Sequence, residues 1–417
     1  MRSPHPPFSL THFANPQARR NRGYPPDLAA ILNLQAHREA WTVLTALPGY
    51  APTPLRSLPG LAASLGLGAV WIKDESERFG LGNFKALGGA YAVLRLLQRE
   101  LALRLGGRTV TAQELMTAEW ASLTGGITVT CATAGSHGRS VAWAARLFGC
   151  RCVVYLPQSV DAERQGNIER LGAEIVRVPA IYDDTVRRCA QDAKRNGWFV
   201  ISDTAYAGYT EIPCAIMQGY TVLAEEVVRT VSTERPTHLF VQGGVGGLAA
   251  ALCAHFWESW GTARPRYIVV EPEQADCLLQ STRAGTPAPS SGSLETIMGG
   301  LACREVSPPA WAVLEQGSDD FLTLPDDATR AAMMRLAEPL AADPPLVAGE
   351  SGAAGLGALL AAAADSGLRA ALGLDPQSRV LLIASEGAAA PDAYRRITGH
   401  APESVRGKRA AGEPHRA

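Results

Sequence analysis

The chain has 417 residues, more than one typical domain, and its 47% hydrophobic and 19% charged residues describe a folded protein with ample core. A net charge of −1 supplies no field to draw in nucleic acid or an anionic membrane. The opening "MRSPHPPFSLTHF" lacks the apolar centre of a signal peptide, and no apolar run reaches membrane-spanning length. Eight scattered cysteines show no metal-site spacing and read as small buried hydrophobes of a reducing cytosol, so a cytoplasmic protein is expected.

Residues 1–60 are broken by proline, with one helix predicted around 27–44. The stretch "AVWIKDESERFGLGNFKALGGAYAVLRLLQRE" then gives a short strand over 69–73, a polar glycine-bearing loop and a helix. That helix carries Leu87, Tyr91, Leu94 and Leu97 at helical spacing. From about 126 to 203, strands at 128–133, 152–157, 174–179 and 199–203 alternate with helices at 140–148, 162–171 and 184–195. Such alternation specifies parallel βαβ units. A long helix over 212–231 leads to a second strand set at 238–244, 267–272 and 380–385. A long region punctuated by Pro, Gly and Ser separates the last two, and the polar tail 401–417 is expected to fray. The pattern predicts an α/β protein of two domains. A large discontinuous one spans 1–90 and 230–417, and a smaller one, 91–229, is inserted into it.

Three features could carry chemistry. In "FVQGGVGGLAAALCAHF", Gly243, Gly244, Val245, Gly246 and Gly247 sit between a buried strand and a helix. Inward-turned N–H groups and the helix N-terminus favour an anion there. The same run mimics a dinucleotide fingerprint, with Glu271 ending the next strand, and a purely structural turn is also open. Lys85, in "GLGNFKALGGA", is one of only four lysines, and it starts a helix between Phe84 and an apolar face. That setting can lower an amine's pKa and make it nucleophilic. Lys73 lies in a strand beside "DES", Lys194 on a polar helix end and Lys408 in the tail. Third, "CATAGSHGRS" makes a tight turn whose His137 could be a base or a hydrogen-bonded structural group. The backbone N–H groups of 135–138 are the better candidates for holding a substrate carboxylate.

An amine for an aldehyde, an N–H cradle for a phosphate and a group facing a ring nitrogen are what pyridoxal phosphate requires. Ser385, ending "VLLIAS", is placed as that ring-nitrogen partner. A neutral hydroxyl there leaves the ring less protonated and favours β-elimination and replacement over transamination.

"IKDESERFGLGNFKALGGAYAV" resembles the signature of diaminopropionate ammonia-lyases, fold type II pyridoxal-phosphate enzymes of the tryptophan synthase beta-like superfamily, related to serine/threonine dehydratases. The likeness continues through "SDTAYAGYTEIPCAIMQGY", "PTHLFVQGGVGGLAA", "TIMGGLACRE" and "AGESGAAGLGAL", covering nearly everything after residue 45. It implies two three-layer α/β domains with mostly parallel sheets, the cofactor in the cleft between them, and a homodimer. It makes Lys85 the Schiff-base lysine beside Phe84, Gly243–Gly247 the phosphate cradle and Ser385 the ring-nitrogen partner. It also puts Thr133, Ala134, Gly135, Ser136, His137 and Tyr206 at the substrate, and Asp203 as the acid–base residue for an L-amino acid.

The departures sit on the substrate side. The family's "ATDGNHG" reads Ala132-Thr133-Ala134-Gly135-Ser136-His137-Gly138, so the aspartate used for the D-isomer is Ala134. The asparagine expected to bond the cofactor's phenolic oxygen is Ser136, the usual Trp-Glu is Tyr206-Ala207, and the acidic tail after "EG" is Ala388-Ala389-Ala390. The leading expectation is α,β-elimination of a small L-amino acid, as 2,3-diaminopropionate to pyruvate and ammonia, with Asp203, or Lys85 once freed, taking the α-proton and with no metal, nucleic-acid or membrane partner. β-Replacement or γ-chemistry on a larger amino acid, a catalytically decayed cofactor-binding protein and a dinucleotide oxidoreductase are the alternatives.

Overall fold

A computed structural model describes residues 8–412, save 134, 232–233 and 341–342. Its strands, in chain order, are β1 (Thr11–Ala14), β2 (Leu55–Ser57), β3 (Ala69–Asp74), β4 (Thr128–Ala132), β5 (Arg151–Pro157) and β6 (Glu174–Val178). They continue with β7 (Phe199–Val200), β8 (His238–Gln242), β9 (Arg266–Pro272), β10 (Asp320–Leu324) and β11 (Arg379–Ala384).

Two compact units divide the chain: Met1–Asn33 with Pro52–Glu77 and Leu223–Ala417, and Leu34–Ala51 with Arg78–Val222. The sequence reading drew the boundaries at 90 and 230; here Lys85 and its helix fall in the second unit.

The first unit is built on a seven-stranded sheet in the order β1-β10-β9-β8-β11-β3-β2. β10, β9, β8, β11 and β3 run parallel, and β1 and β2 are antiparallel edges. The central strands are buried on both faces, which is why "LFV" in β8 and "YIVV" in β9 read as apolar runs rather than as an alternating pattern. Phe240, Ile268, Leu322 and Leu382 share one core with Leu356 and Leu359 of the helix Ala354–Ala364. That helix is buried all round, so it shows no amphipathic period, and the region 273–379 looked irregular in the sequence. In fact it holds β10 and the helices Cys277–Ala284, Pro308–Gly317, Asp326–Ala337, Ala354–Ala364 and Ser366–Leu372. The frayed tail is likewise corrected over 402–412, a helix whose Val405 is buried in the core with Tyr394.

The second unit has a four-stranded parallel sheet, β6-β5-β4-β7. Its helices include Leu34–Leu44, Lys85–Arg104, Ser136–Phe148, Ala162–Glu169, Tyr182–Asn196 and the first part of Glu211–Thr230, with two short ones near residues 112–124. The helix predicted over 27–44 begins only at Leu34, after a separate short turn at Leu28–Ala30. The helix predicted from residue 140 begins at Ser136, so Ser136, His137 and Gly138 form its first turn rather than a loop. Among the described residues no disulfide is formed, and six of the eight cysteines are buried. Among the described residues, no single helix is long and apolar enough to cross a membrane.

Candidate active site

In the second unit, the chemistry gathers at the carboxyl ends of β4 and β7, where open parallel sheets hold ligands. Lys85 opens the helix Lys85–Arg104, its N–H donating to Asn83 Oδ1 at 2.9 Å. The helix packs so closely that a Cβ at Gly88 would lie 2.5 Å from the Tyr220 ring, which fixes where Lys85 stands. The Lys85 ammonium donates to Asp203 Oδ2 at 2.5 Å, and Nζ lies 5.9 Å from the centre of the Phe84 ring. Phe84 in turn packs on Tyr220, with ring centroids 4.7 Å apart.

Burial opposes ionisation of Asp203, but the charge and hydrogen bond of Lys85 hold its carboxyl well below the usual range. Asp203 is therefore a carboxylate, able to accept a proton. His137 is buried, and its Nε2 lies 2.8 Å from the Ile201 carbonyl oxygen while its Nδ1 lies 3.9 Å from Asp203 Oδ2. Burial, helped by the Lys85 charge, pulls the imidazole pKa below its ordinary value, with Asp203 opposing.

The loop carrying Asp203 is braced by Tyr209, whose hydroxyl donates to Val200 O and accepts from Ser202 N–H, both at 2.9 Å. Tyr206 stacks on Tyr209 at 4.9 Å and stays half exposed. At the turn, the Thr133 hydroxyl accepts from Gly135 N–H (3.0 Å) and Gly138 N–H (3.3 Å). Two of the four N–H groups expected to hold a carboxylate are thus already taken, and Ser136 and His137 are the ones that Thr133 does not engage. Ala134 lies outside the described residues.

In the first unit, the run Gly243–Gly247 follows β8, and Ser385 follows the neighbouring parallel strand β11. Gly244 and Gly246 have φ of +65° and +99°, which L-residues with side chains rarely adopt. Gly246 starts the helix Gly247–Trp260 with no side chain to cap its N–H groups. Beneath the turn lies Glu271, fully buried; a Cβ at Gly243 would meet its Cγ at 2.9 Å. Burial pushes its carboxyl up to about 8, against N–H bonds from Leu278 (2.9 Å) and Leu279 (2.8 Å). Gln242 Nε2, with two hydrogens to give, lies 2.7, 2.9 and 3.1 Å from the Ile383, Ser351 and Gly352 carbonyl oxygens and 3.4 Å from Ser385 Oγ.

The family model described as "Pyridoxal-phosphate dependent enzyme" matches residues 46–386. The diaminopropionate ammonia-lyase of Salmonella typhimurium is 40% identical over 378 residues, 88% of this chain and 93% of that protein. The chain belongs to the diaminopropionate ammonia-lyase family of pyridoxal-phosphate-dependent enzymes. The selenomethionine-containing holo diaminopropionate ammonia lyase of Escherichia coli superposes with a TM-score of 0.85 at 35% identity, over 94% of this chain and 97% of that one. The same Escherichia coli enzyme with an aminoacrylate-PLP azomethine reaction intermediate gives 0.83 at 35% identity, with the same coverage.

The residues fit the family's cofactor. A turn that demands glycine, lined by backbone and opening a helix N-terminus, suits a phosphate ester. Gln242 Nε2 faces the Ser385 oxygen at 3.4 Å, and a serine hydroxyl there can offer its proton to an unprotonated ring nitrogen. Glu271 anchors the helix beyond the turn, which answers the dinucleotide reading: its oxygens are taken up by backbone N–H groups rather than left for a ribose. Two residues escaped the sequence reading. Gln242 was readable only as a polar residue ending an apolar strand, and Tyr209 only as a second tyrosine near Tyr206.

Proposed function

We propose that the protein eliminates the β-amine of L-2,3-diaminopropionate to give pyruvate and two ammonia, taking up one water. The Lys85–Asp203 pair at 2.5 Å carries the reading. Bound pyridoxal phosphate supplies an electron sink conjugated to the substrate's α-carbon. Lys85 provides the amine that holds the cofactor's aldehyde carbon, and the N–H groups of Gly243–Gly247 hold its phosphate. Ser385, oriented by Gln242, donates its hydroxyl proton to the ring nitrogen.

Asp203 takes the α-proton onto Oδ2, the oxygen that Lys85 already marks as the one facing the reacting amine. That proton goes on to the departing β-amine, which leaves as ammonia. Hydrolysis of the remaining three-carbon unit releases pyruvate and the second ammonia. Ala134 offers a methyl where the family's second acid would stand, so the D-isomer finds no base on its side. Tyr206, half exposed and stacked on Tyr209, lines the substrate's approach. A cytoplasmic homodimer belongs to the same proposal.

Purified protein loaded with cofactor and given L-2,3-diaminopropionate tests the reading. One pyruvate for every two ammonia is expected. A stable amino-acid product that appears only with an added thiol or amine nucleophile would instead identify a replacement enzyme.

A further inference from the structure

His137 has two nitrogens with different duties. Nε2 faces a carbonyl oxygen 2.8 Å away, which can only accept, so Nε2 carries the proton. Nδ1 is then a bare acceptor. Among the described residues it has no hydrogen-bond partner, though the side chain is more than nine-tenths buried. A buried acceptor left unsatisfied is destabilising, so its retention calls for a use. Nδ1 points at Asp203 Oδ2 across 3.9 Å, too far for a hydrogen bond and about 1 Å short of one. While Asp203 is a carboxylate, two lone-pair acceptors face each other and nothing joins them. Once Oδ2 is protonated, an O–H donor faces a waiting nitrogen.

The charged groups around the pair are few. Lys85 sits on the same Oδ2, and the phenols of Tyr209 and Tyr220 and the Cys131 thiol, each with its pKa raised by burial, stay neutral. Among the described residues, the charged groups that act on His137 are Asp203 and Lys85.

We infer that His137 is a positioning residue whose Nδ1 receives the hydrogen bond of protonated Asp203 and so stabilises the catalytic acid after it has taken the substrate's α-proton. The inference rests on Asp203 being the base. In the step concerned, the Cα–H bond breaks, its electron pair stays on Cα, and an O–H bond forms at Oδ2 that donates to Nδ1. When the Cβ–N bond breaks, the same proton passes from Oδ2 to the departing nitrogen, and the carboxylate is restored. His137 neither gains nor loses a proton over the cycle. In a chain whose second acid is Ala134, one carboxyl must both take and return the proton, which makes its protonated state worth holding.

The test uses the full chain, loaded with cofactor and labelled with ¹⁵N-histidine. His137 Nε2 is expected to be protonated throughout. The Nδ1 resonance should move during steady-state turnover of L-2,3-diaminopropionate, when Asp203 carries the α-proton, and stay at the bare-acceptor position in Asp203→Ala. Nδ1 carrying the fixed proton, or a resonance indifferent to Asp203→Ala, would overturn the inference. Alongside it, His137→Leu should lose about 10²-fold in kcat with KM and cofactor loading unchanged. His137→Gln, whose amide can donate to Ile201 and accept from Asp203, should recover most of that loss. A His137→Leu enzyme with wild-type kcat would also refute it. Should His137→Leu fail to fold, the resonance measurement still decides. If Asp203→Asn retained full activity, the base assignment itself would fall, whatever the histidine spectrum.

Discussion

Replacing Asp203 with asparagine changes one property and spares the rest. The side chain keeps its shape, and its oxygen can still accept from the Lys85 ammonium, now 2.5 Å away. The amine that takes the cofactor is therefore undisturbed, and loading should be unchanged. The anion is lost. A carboxylate held far below its usual pKa by Lys85 becomes an amide that cannot take a proton at all. Losing a positioned general base costs about 10²–10⁴-fold in rate, or roughly 3–5.5 kcal/mol of barrier at about 1.36 kcal/mol per tenfold. Loss of the loop's shape would act differently, raising KM together with kcat effects, but Tyr209 braces that loop through Val200 and Ser202 without using Asp203. The assay is pyruvate formation from L-2,3-diaminopropionate, with cofactor content read from visible absorption. A variant that is fully loaded and works within about threefold of the wild type would refute the base assignment.

Further outcomes follow from the geometry. Gly246→Ala puts a Cβ at 3.1 Å from that of Ala310 on a backbone with φ of +99°, and should weaken cofactor binding by about tenfold, the equivalent of roughly 1–2 kcal/mol of left-handed strain; equilibrium dialysis reads it. Lys73→Met removes the ammonium that donates to Glu226 and to the Thr53 carbonyl, both at 2.5 Å, in a buried pair; stability should fall by about 3–5 kcal/mol in urea titration, and Lys73→Met with Glu226→Met should lose less. His137 has a folded pKa below that of the unfolded chain, about 6.5, so on acidification the unfolded chain takes up a proton that the native imidazole refuses. Its contribution to stability is thus present above about pH 6.5 and lost as pH falls toward the folded value; His137→Gln should flatten that part of the urea-midpoint profile.

Much of this architecture was legible because parallel strands buried on both faces are short apolar runs, and β4, β5, β8, β9 and β11 each read so. β10 was missed within the stretch punctuated by Pro, Gly and Ser, and the helix Ala354–Ala364, buried over 354–362, has no polar face to announce a period. Lys85 and the Gly243–Gly247 turn could be picked out locally, since their chemistry lies in their own residue types and neighbours. Asp203 was named through resemblance alone: its closeness to Lys85, 118 residues earlier in the chain, is a tertiary fact. The "SHG" stretch misled most. Its residues are a helix first turn, and the Thr133 hydroxyl, a side chain outside that turn, already uses two of the N–H groups that the glycine pattern seemed to leave for a ligand. His137, which the sequence favoured as a hydrogen-bonded structural group over a base, gains its role only from what lies around its two nitrogens.

The central claim is a lyase with one acid–base carboxyl, Asp203, and a methyl at Ala134. The most direct measurement is the ratio of kcat/KM for L- and D-2,3-diaminopropionate, followed as pyruvate with cofactor-saturated enzyme. The account predicts that the L-isomer is consumed at least about 10²-fold faster, and that Asp203→Asn removes that preference by removing the L-activity. Equal rates on both isomers, or a D-isomer preference, would contradict it.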